Sequence, residues 1–140
     1  MDRIVIRVLL SLVLVATLAG CASSSTNAKA TAPDSPFAGT YLAVCQAARD
    51  ARKGNTNQAR TVFVDRAHQG VHALATKASQ GDRPAAGRLL ERKERVEHDL
   101  ATTTTAKQLA DDLDALAETA RTAIAATGAP RPQTCEETLR

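Results

Sequence analysis

Apolar residues recur at spacings of three and four after residue 35, which is the period of an amphipathic helix. The pattern divides into four segments, and none shows the alternation of apolar and polar residues that is typical of a strand. In chain order the apolar stripes are Phe37, Tyr41, Val44, Cys45 and Ala48; Val64, Ala67, Val71, Leu74 and Ala78, with Phe63 beside them; Leu89, Val96 and Leu100, flanked by Leu90; and Leu109, Leu113, Leu116, Ala120, Ala123 and Ile124. We therefore predict an all-α domain.

Residues with capping and turn chemistry separate the four segments. The predicted helix starts are Ser35-Pro36, Asn55 with Gln58, Asp82 with Pro84, and Thr105 with Gln108, and the predicted ends are Gly54, Gly81 and Gly128. The β-branched run Thr102–Thr105 weakens helix continuity, although one helix spanning the third and fourth segments stays open. Short connections between amphipathic helices favour an antiparallel helical bundle of about four helices.

The first residues have the pattern of an export signal. Arg3 and Arg7 precede a short apolar run, Val8–Ala19, and small residues then lead to Cys21. Twelve apolar residues span about 18 Å as a helix, which is too short for the ~30 Å hydrocarbon core of a membrane. An ordinary secretory signal is the other alternative, and a cysteine at the cleavage position argues against it.

Leu18-Ala19-Gly20-Cys21 resembles the lipobox of bacterial lipoproteins at all four positions. The resemblance implies cleavage before Cys21, a diacylglycerol on its sulfur, further acylation such as palmitate, and anchoring in the cell membrane or outer membrane. The two residues after Cys21, Ala22 and Ser23, lack the Asp that resembles an inner-membrane retention signal. In a host with two membranes, the resemblance therefore implies the outer membrane. The expected organisation is a signal peptide at 1–20, a flexible tether at 21–35 and a helical domain at 36–140.

The two remaining cysteines, Cys45 and Cys135, are an even pair in an exported chain, which favours a disulfide. Two free thiols, or a pair of soft metal ligands, are the alternatives. No CxxC spacing supports a metal site of this kind.

Composition narrows the class of partner. The chain has 18 basic and 15 acidic residues, and the loss of Asp2, Arg3 and Arg7 with the signal peptide leaves a net charge of +2. The basic residues of the third segment, Lys93 among them, alternate with glutamates, which indicates a solvated face and not a nucleic-acid surface. Aromatic residues make up only 2% of the chain, which disfavours a large cofactor site.

One constellation carries candidate chemistry. Asp65, His68 and His72 share one side of the second helix, and histidines at i and i+4 form a plausible half-site for a transition metal. A surface polar cluster with an Asp–His ion pair is the alternative. Glu94-x-x-Glu97-His98 is a second, weaker candidate, and His98 is expected to face solvent.

No catalytic motif for nucleophilic chemistry is present, so we expect no enzymatic activity and no cofactor. Thr61–Leu100 resembles parts of small helical lipoproteins of high-GC bacteria that have no assigned activity. We therefore expect a lipid-anchored, non-enzymatic binding or structural module that acts on an envelope protein. A transition-metal binder that uses Asp65, His68 and His72 is the alternative hypothesis, and an enzyme is a third.

Overall fold

A computed structural model describes residues 35–140 of the protein. The predicted signal peptide, Cys21 and all but the last residue of the predicted tether lie outside this range. The described part is all-helical, and no strand occurs within it. Its helices are α1 (Ala38–Arg52), α2 (Thr56–Val62), α3 (His68–Ala78), α4 (Arg83–Ala101), α5 (Ala106–Ala126) and α6 (Cys135–Thr138), with a π-helical turn at Phe63–Ala67 between α2 and α3.

Most of the predicted helix boundaries are correct. Gly54 and Gly128 follow α1 and α5 with φ of 80° and 85°, a backbone region that disfavours residues with a Cβ atom. The side chain of Asp82 accepts the Ala85 N–H at 2.9 Å, and that of Thr105 accepts the Gln108 N–H at 3.1 Å. Residues 102–105 separate α4 from α5, so these are two helices.

One predicted helix start is correct but lacks its predicted capping box, and another is displaced. Helix α2 begins at Thr56 with Asn55 as its N-cap residue, but the Asn55 side chain makes no capping hydrogen bond. The Asn55 N–H donates to the Asp50 carbonyl at 2.9 Å, so it is not available to Gln58 as a capping box requires. Ser35 does not begin α1 directly. Its hydroxyl accepts the Phe37 N–H at 3.2 Å and forms a turn, and the helix begins at Ala38.

The helices pack around one apolar core. Helix α1 contacts α2 and α5, α4 contacts α3 and α5, and the π-helical turn contacts α1. Many of the fully buried residues are alanines, which permit close approach of helix backbones. Gly70 in α3 lies close against α1, because a Cβ atom there would overlap the side chain of Thr40. Among residues 35–140, no helix is both long and apolar enough to cross a membrane.

The π-helical turn changes which residues of the second segment face the core. The predicted stripe began at Val64, but Val64 is 53% exposed, whereas Phe63 is fully buried. A π-helical turn accommodates one residue more than an α-helical turn, so the side chains before it are rotated relative to those after it. The observed core face therefore runs from Phe63 to Ala67 and Val71, and Val64 is displaced to the surface.

Candidate functional site

The π-helical turn lies beside the last two turns of α4 and borders a surface groove. The groove has a volume of about 230 Å³ and is lined by Arg60, Phe63, Val64, His68, Glu97, Leu100 and Ala101. Its floor is apolar and its rim carries charges of both signs. π-helical turns occur frequently at functional sites, and an exposed valine beside an apolar floor is the kind of feature that contacts a partner.

Glu97 links two helices at one wall of the groove. Its Oε1 accepts from Nζ of Lys93 at 2.6 Å and from Nε2 of His68 at 2.8 Å. Partial burial alone raises the pKa of Glu97, but the hydrogen bond and charge of Lys93, together with those of His68, outweigh it. The pKa of this carboxyl therefore lies below its usual value, and Glu97 is ionised at neutral pH.

The charge pattern of α4 predicted that Lys93 lies on a solvated face, and this prediction is wrong. Its side chain is only 4% exposed. The signal was present in the sequence, because Lys93 follows Leu89 by four residues and precedes Val96 by three. Both of these neighbours are fully buried, so the lysine stem fills the gap between them in the apolar stripe. Glu97 supplies the negative charge that a buried ammonium group requires.

The three predicted metal ligands do not converge. The rings of His68 and His72 lie edge to face, 5.2 Å apart, but Nε2 of His68 is directed to Glu97. Asp65 is exposed and forms no ion pair with His68. Within residues 35–140, no three His, Cys, Asp or Glu side chains are grouped so that they could hold a metal ion. His68 is instead paired with a carboxylate near the surface, although its partner is Glu97 and not Asp65.

His68 comes from the first candidate group in the sequence, and Glu97 comes from the second, Glu94-x-x-Glu97-His98. The structure therefore pairs one residue from each group. His98, from the same group, is exposed as predicted. Sequence spacing could relate residues within one helix but not across the α3–α4 contact, and for that reason the His68–Glu97 pair was not predicted.

Arg60 closes the end of the groove. Its guanidinium donates to the main-chain carbonyl of Leu100, in the last turn of α4. Carbonyls at a helix C-terminus carry partial negative charge and have no partner within the helix, so a guanidinium is well suited to them. The groove is smaller than the 300–1,000 Å³ of most small-molecule pockets. Its size and apolar floor fit one or two side chains of a protein partner better than a cofactor.

The predicted disulfide is present and lies away from the groove. Cys45 of α1 and Cys135 of α6 are joined across 90 residues, with their Cα atoms 5.1 Å apart. The same C-terminal segment is held by the Tyr41 hydroxyl, which donates to the Gln133 carbonyl at 2.7 Å. Burial raises the pKa of Tyr41 to about 12, so its phenol stays protonated at any physiological pH and remains a donor. Arg121 Nε also donates to the Pro132 carbonyl, at 3.0 Å.

A second cavity of about 210 Å³ adjoins this segment. It is lined by Tyr41, Arg52, Asp114, Ala117, Glu118, Arg121, Thr134, Cys135 and Glu136. Four of its five charged residues form ion pairs, Arg52 with Asp114 between α1 and α5, and Arg121 with Glu118 within α5. Because Arg121 also donates to the Pro132 carbonyl, we assign to it the role of holding the C-terminal segment against α5.

Comparison with known proteins adds no assignment. The chain matches no protein-family model, and it has no significant similarity to a curated protein or to a solved structure.

Proposed function

We propose that this protein is a lipoprotein of the bacterial envelope whose helical domain is a non-enzymatic binding module. The observation that carries the proposal is the Cys45–Cys135 disulfide. Disulfides form and persist in oxidising compartments such as the periplasm and the cell surface. The disulfide uses two of the three cysteines, so Cys21 is the one left for acylation.

An antiparallel bundle is the arrangement that we propose for the four long helical segments. Three sets of contacts support it. Arg52 at the end of α1 pairs with Asp114 in the first half of α5, while Tyr41 near the start of α1 contacts the segment after α5. His68 at the start of α3 pairs with Glu97 near the end of α4.

The lipid anchor is tested by Cys21→Ser in the full-length chain. We expect the wild type to incorporate an alkyne-labelled fatty acid and to show the intact mass of a chain that begins at Cys21 and carries acyl groups. The variant should incorporate no label and keep the mass of the uncleaved precursor. Ser23→Ala is the matched control and should behave as the wild type. Labelling of Cys21→Ser at the wild-type level would refute the anchor.

The groove is proposed as the surface that contacts an envelope protein. Its apolar floor, the exposed Val64 and its mixed-charge rim support this role. A groove of this size contributes only part of a standard interface of about 800 Å² per partner, so the surrounding faces of α2 and α4 would contribute as well.

A photo-crosslinking residue at position 64 tests this surface in intact cells. We expect one discrete adduct from position 64, and none from position 107 on α5, where the Lys107 side chain is 85% exposed. Added unlipidated protein should compete for the adduct, whereas the same protein with Val64→Lys should not. Equal adducts from both positions, or competition by Val64→Lys, would contradict the assignment.

A further inference from the structure

The two cysteines of the Cys45–Cys135 disulfide lie in different environments. Cys45 is on α1 and is fully buried in the apolar core. Cys135 is the first residue of α6, is only partly buried, and lines the cavity of about 210 Å³ beside the C-terminal segment. A molecule in solvent can therefore reach Cys135 through this cavity, whereas the core encloses Cys45.

The cavity is large enough for an incoming sulfur-containing group. Its volume of about 210 Å³ is several times the roughly 30 Å³ that a water occupies in the liquid. The neighbours of Cys135 in the chain, Thr134 and Glu136, line it together with Tyr41. The end of a small disulfide, or one cysteine side chain of another protein, fits this space beside Cys135.

Contacts other than the disulfide also position Cys135. The Tyr41 hydroxyl donates to the carbonyl of Gln133, two residues before Cys135, at 2.7 Å. Thr134 and Glu137 form a capping box that orders the single turn of α6, which begins at Cys135. Because these contacts do not require the disulfide, they can hold the Cys135 thiol next to α1 before the bond forms.

We propose that Cys135 is the thiol–disulfide exchange site of this protein, where a disulfide oxidant reacts first, and that Cys45 is the resolving cysteine. The Cys135 thiolate attacks one sulfur of the oxidant, so that the S–S bond of the oxidant breaks, a mixed disulfide forms on Cys135 and one thiolate leaves. The Cys45 thiolate then attacks the Cys135 sulfur, which breaks the mixed disulfide and releases the second thiolate of the oxidant.

The two steps balance. The cysteine pair loses two electrons, the oxidant gains them as it becomes a dithiol or two thiols, and the protons of both cysteine thiols pass to the solvent. Burial assigns the order of the steps, because an oxidant in solvent cannot reach Cys45 while the fold is closed, whereas Cys45 needs only the neighbouring sulfur of Cys135. The inference does not depend on the lipid anchor or on the partner groove.

The test compares two single-cysteine variants of the full-length protein, in a Cys21→Ser background, purified in detergent and reduced. Cys45→Ser keeps the Cys135 thiol, and Cys135→Ser keeps the Cys45 thiol. With the disulfide 5,5′-dithiobis(2-nitrobenzoate) as the probe, we expect the Cys135 thiol to react about 100-fold faster or more, since a buried thiol reacts only after local opening. In concentrated urea, the matched control, the two rates should agree within about threefold, because burial is then lost.

The reduced parent with both cysteines tests the order of the steps and does not require either variant to fold. It should release two thionitrobenzoate anions per chain, and peptide mapping after an early acid quench should place the mixed disulfide on Cys135. Cys45→Ser should release one anion and keep the other bound.

Oxidised glutathione and a thioredoxin-fold oxidant in its disulfide form distinguish two sources of the oxidant. Faster oxidation of the parent by the protein, at equal concentration, would identify a protein disulfide, and faster oxidation by glutathione a small one. Equal reaction rates of the Cys45 and Cys135 thiols without urea would overturn the proposal. An early adduct on Cys45 in the parent would overturn it as well.

Discussion

Removal of the Cys45–Cys135 disulfide is expected to lower the free energy of unfolding by about 4–5 kcal/mol, the largest effect that we predict for any change in the domain. The bond closes a loop of 90 residues, and in the chain-entropy model a loop of this length restricts the unfolded chain by that amount. Small domains have a total stability of about 5–15 kcal/mol, so the loss is a large fraction of it. At roughly 4–8 °C per kcal/mol, Tm should fall by about 20 °C or more.

Urea unfolding of Cys45→Ala/Cys135→Ala measures this loss, in a Cys21→Ser background so that no free thiol remains. Reduction of the parent protein with dithiothreitol should give a similar shift. Dithiothreitol added to the double variant is the control and should change nothing. A loss below about 1 kcal/mol would mean that the other contacts of the C-terminal segment already hold it in place, including the Tyr41–Gln133 hydrogen bond.

Glu97→Ala is expected to destabilise the domain by about 3 kcal/mol, because it leaves the ammonium group of Lys93 buried without a counter-charge. Removal of one partner of a buried ion pair costs about 3–5 kcal/mol. The lower end applies here, since the Glu97 side chain is 36% exposed and water reaches it. The depressed pKa of Glu97 gives the pH dependence: its contribution is present above the unfolded-state pKa of about 4.3 and is lost as pH falls through the folded-state value.

A double-mutant cycle with Lys93→Met measures the interaction energy between Lys93 and Glu97 separately from their contacts with other residues. Methionine fills the volume of the lysine stem without its charge, so Lys93→Met/Glu97→Ala should recover most of the stability lost in Glu97→Ala. Glu94→Ala, an exposed glutamate on the same helix, is the matched control and should cost less than about 0.5 kcal/mol. Failure of the double variant to recover would show that Lys93 is not the group left unpaired.

The sequence was sufficient to predict features that depend on local chemistry. The caps at Asp82 and Thr105, the ends at Gly54 and Gly128, and the break at residues 102–105 each follow from residues within one turn of the boundary. The disulfide could also be predicted, because parity and the expected compartment left one pairing.

Features that depend on tertiary packing were not predictable from the same patterns. Periodicity assumes a uniform helix, so the extra residue at the π-helical turn reversed the environments expected for Phe63 and Val64. A binary division into apolar and charged residues likewise placed Lys93 in solvent. Lys93 is buried because Glu97 supplies its counter-charge across one turn of α4.

The position of α1 has a mechanical consequence at a membrane surface. Ser35 directly precedes this helix, and the C-terminal segment is bound to its first half through Tyr41 and Cys45. On the proposed anchoring, a pulling force on the tether would act first on α1, and the disulfide would transmit that load to the C-terminal segment, so that α1 would not peel away from the bundle alone.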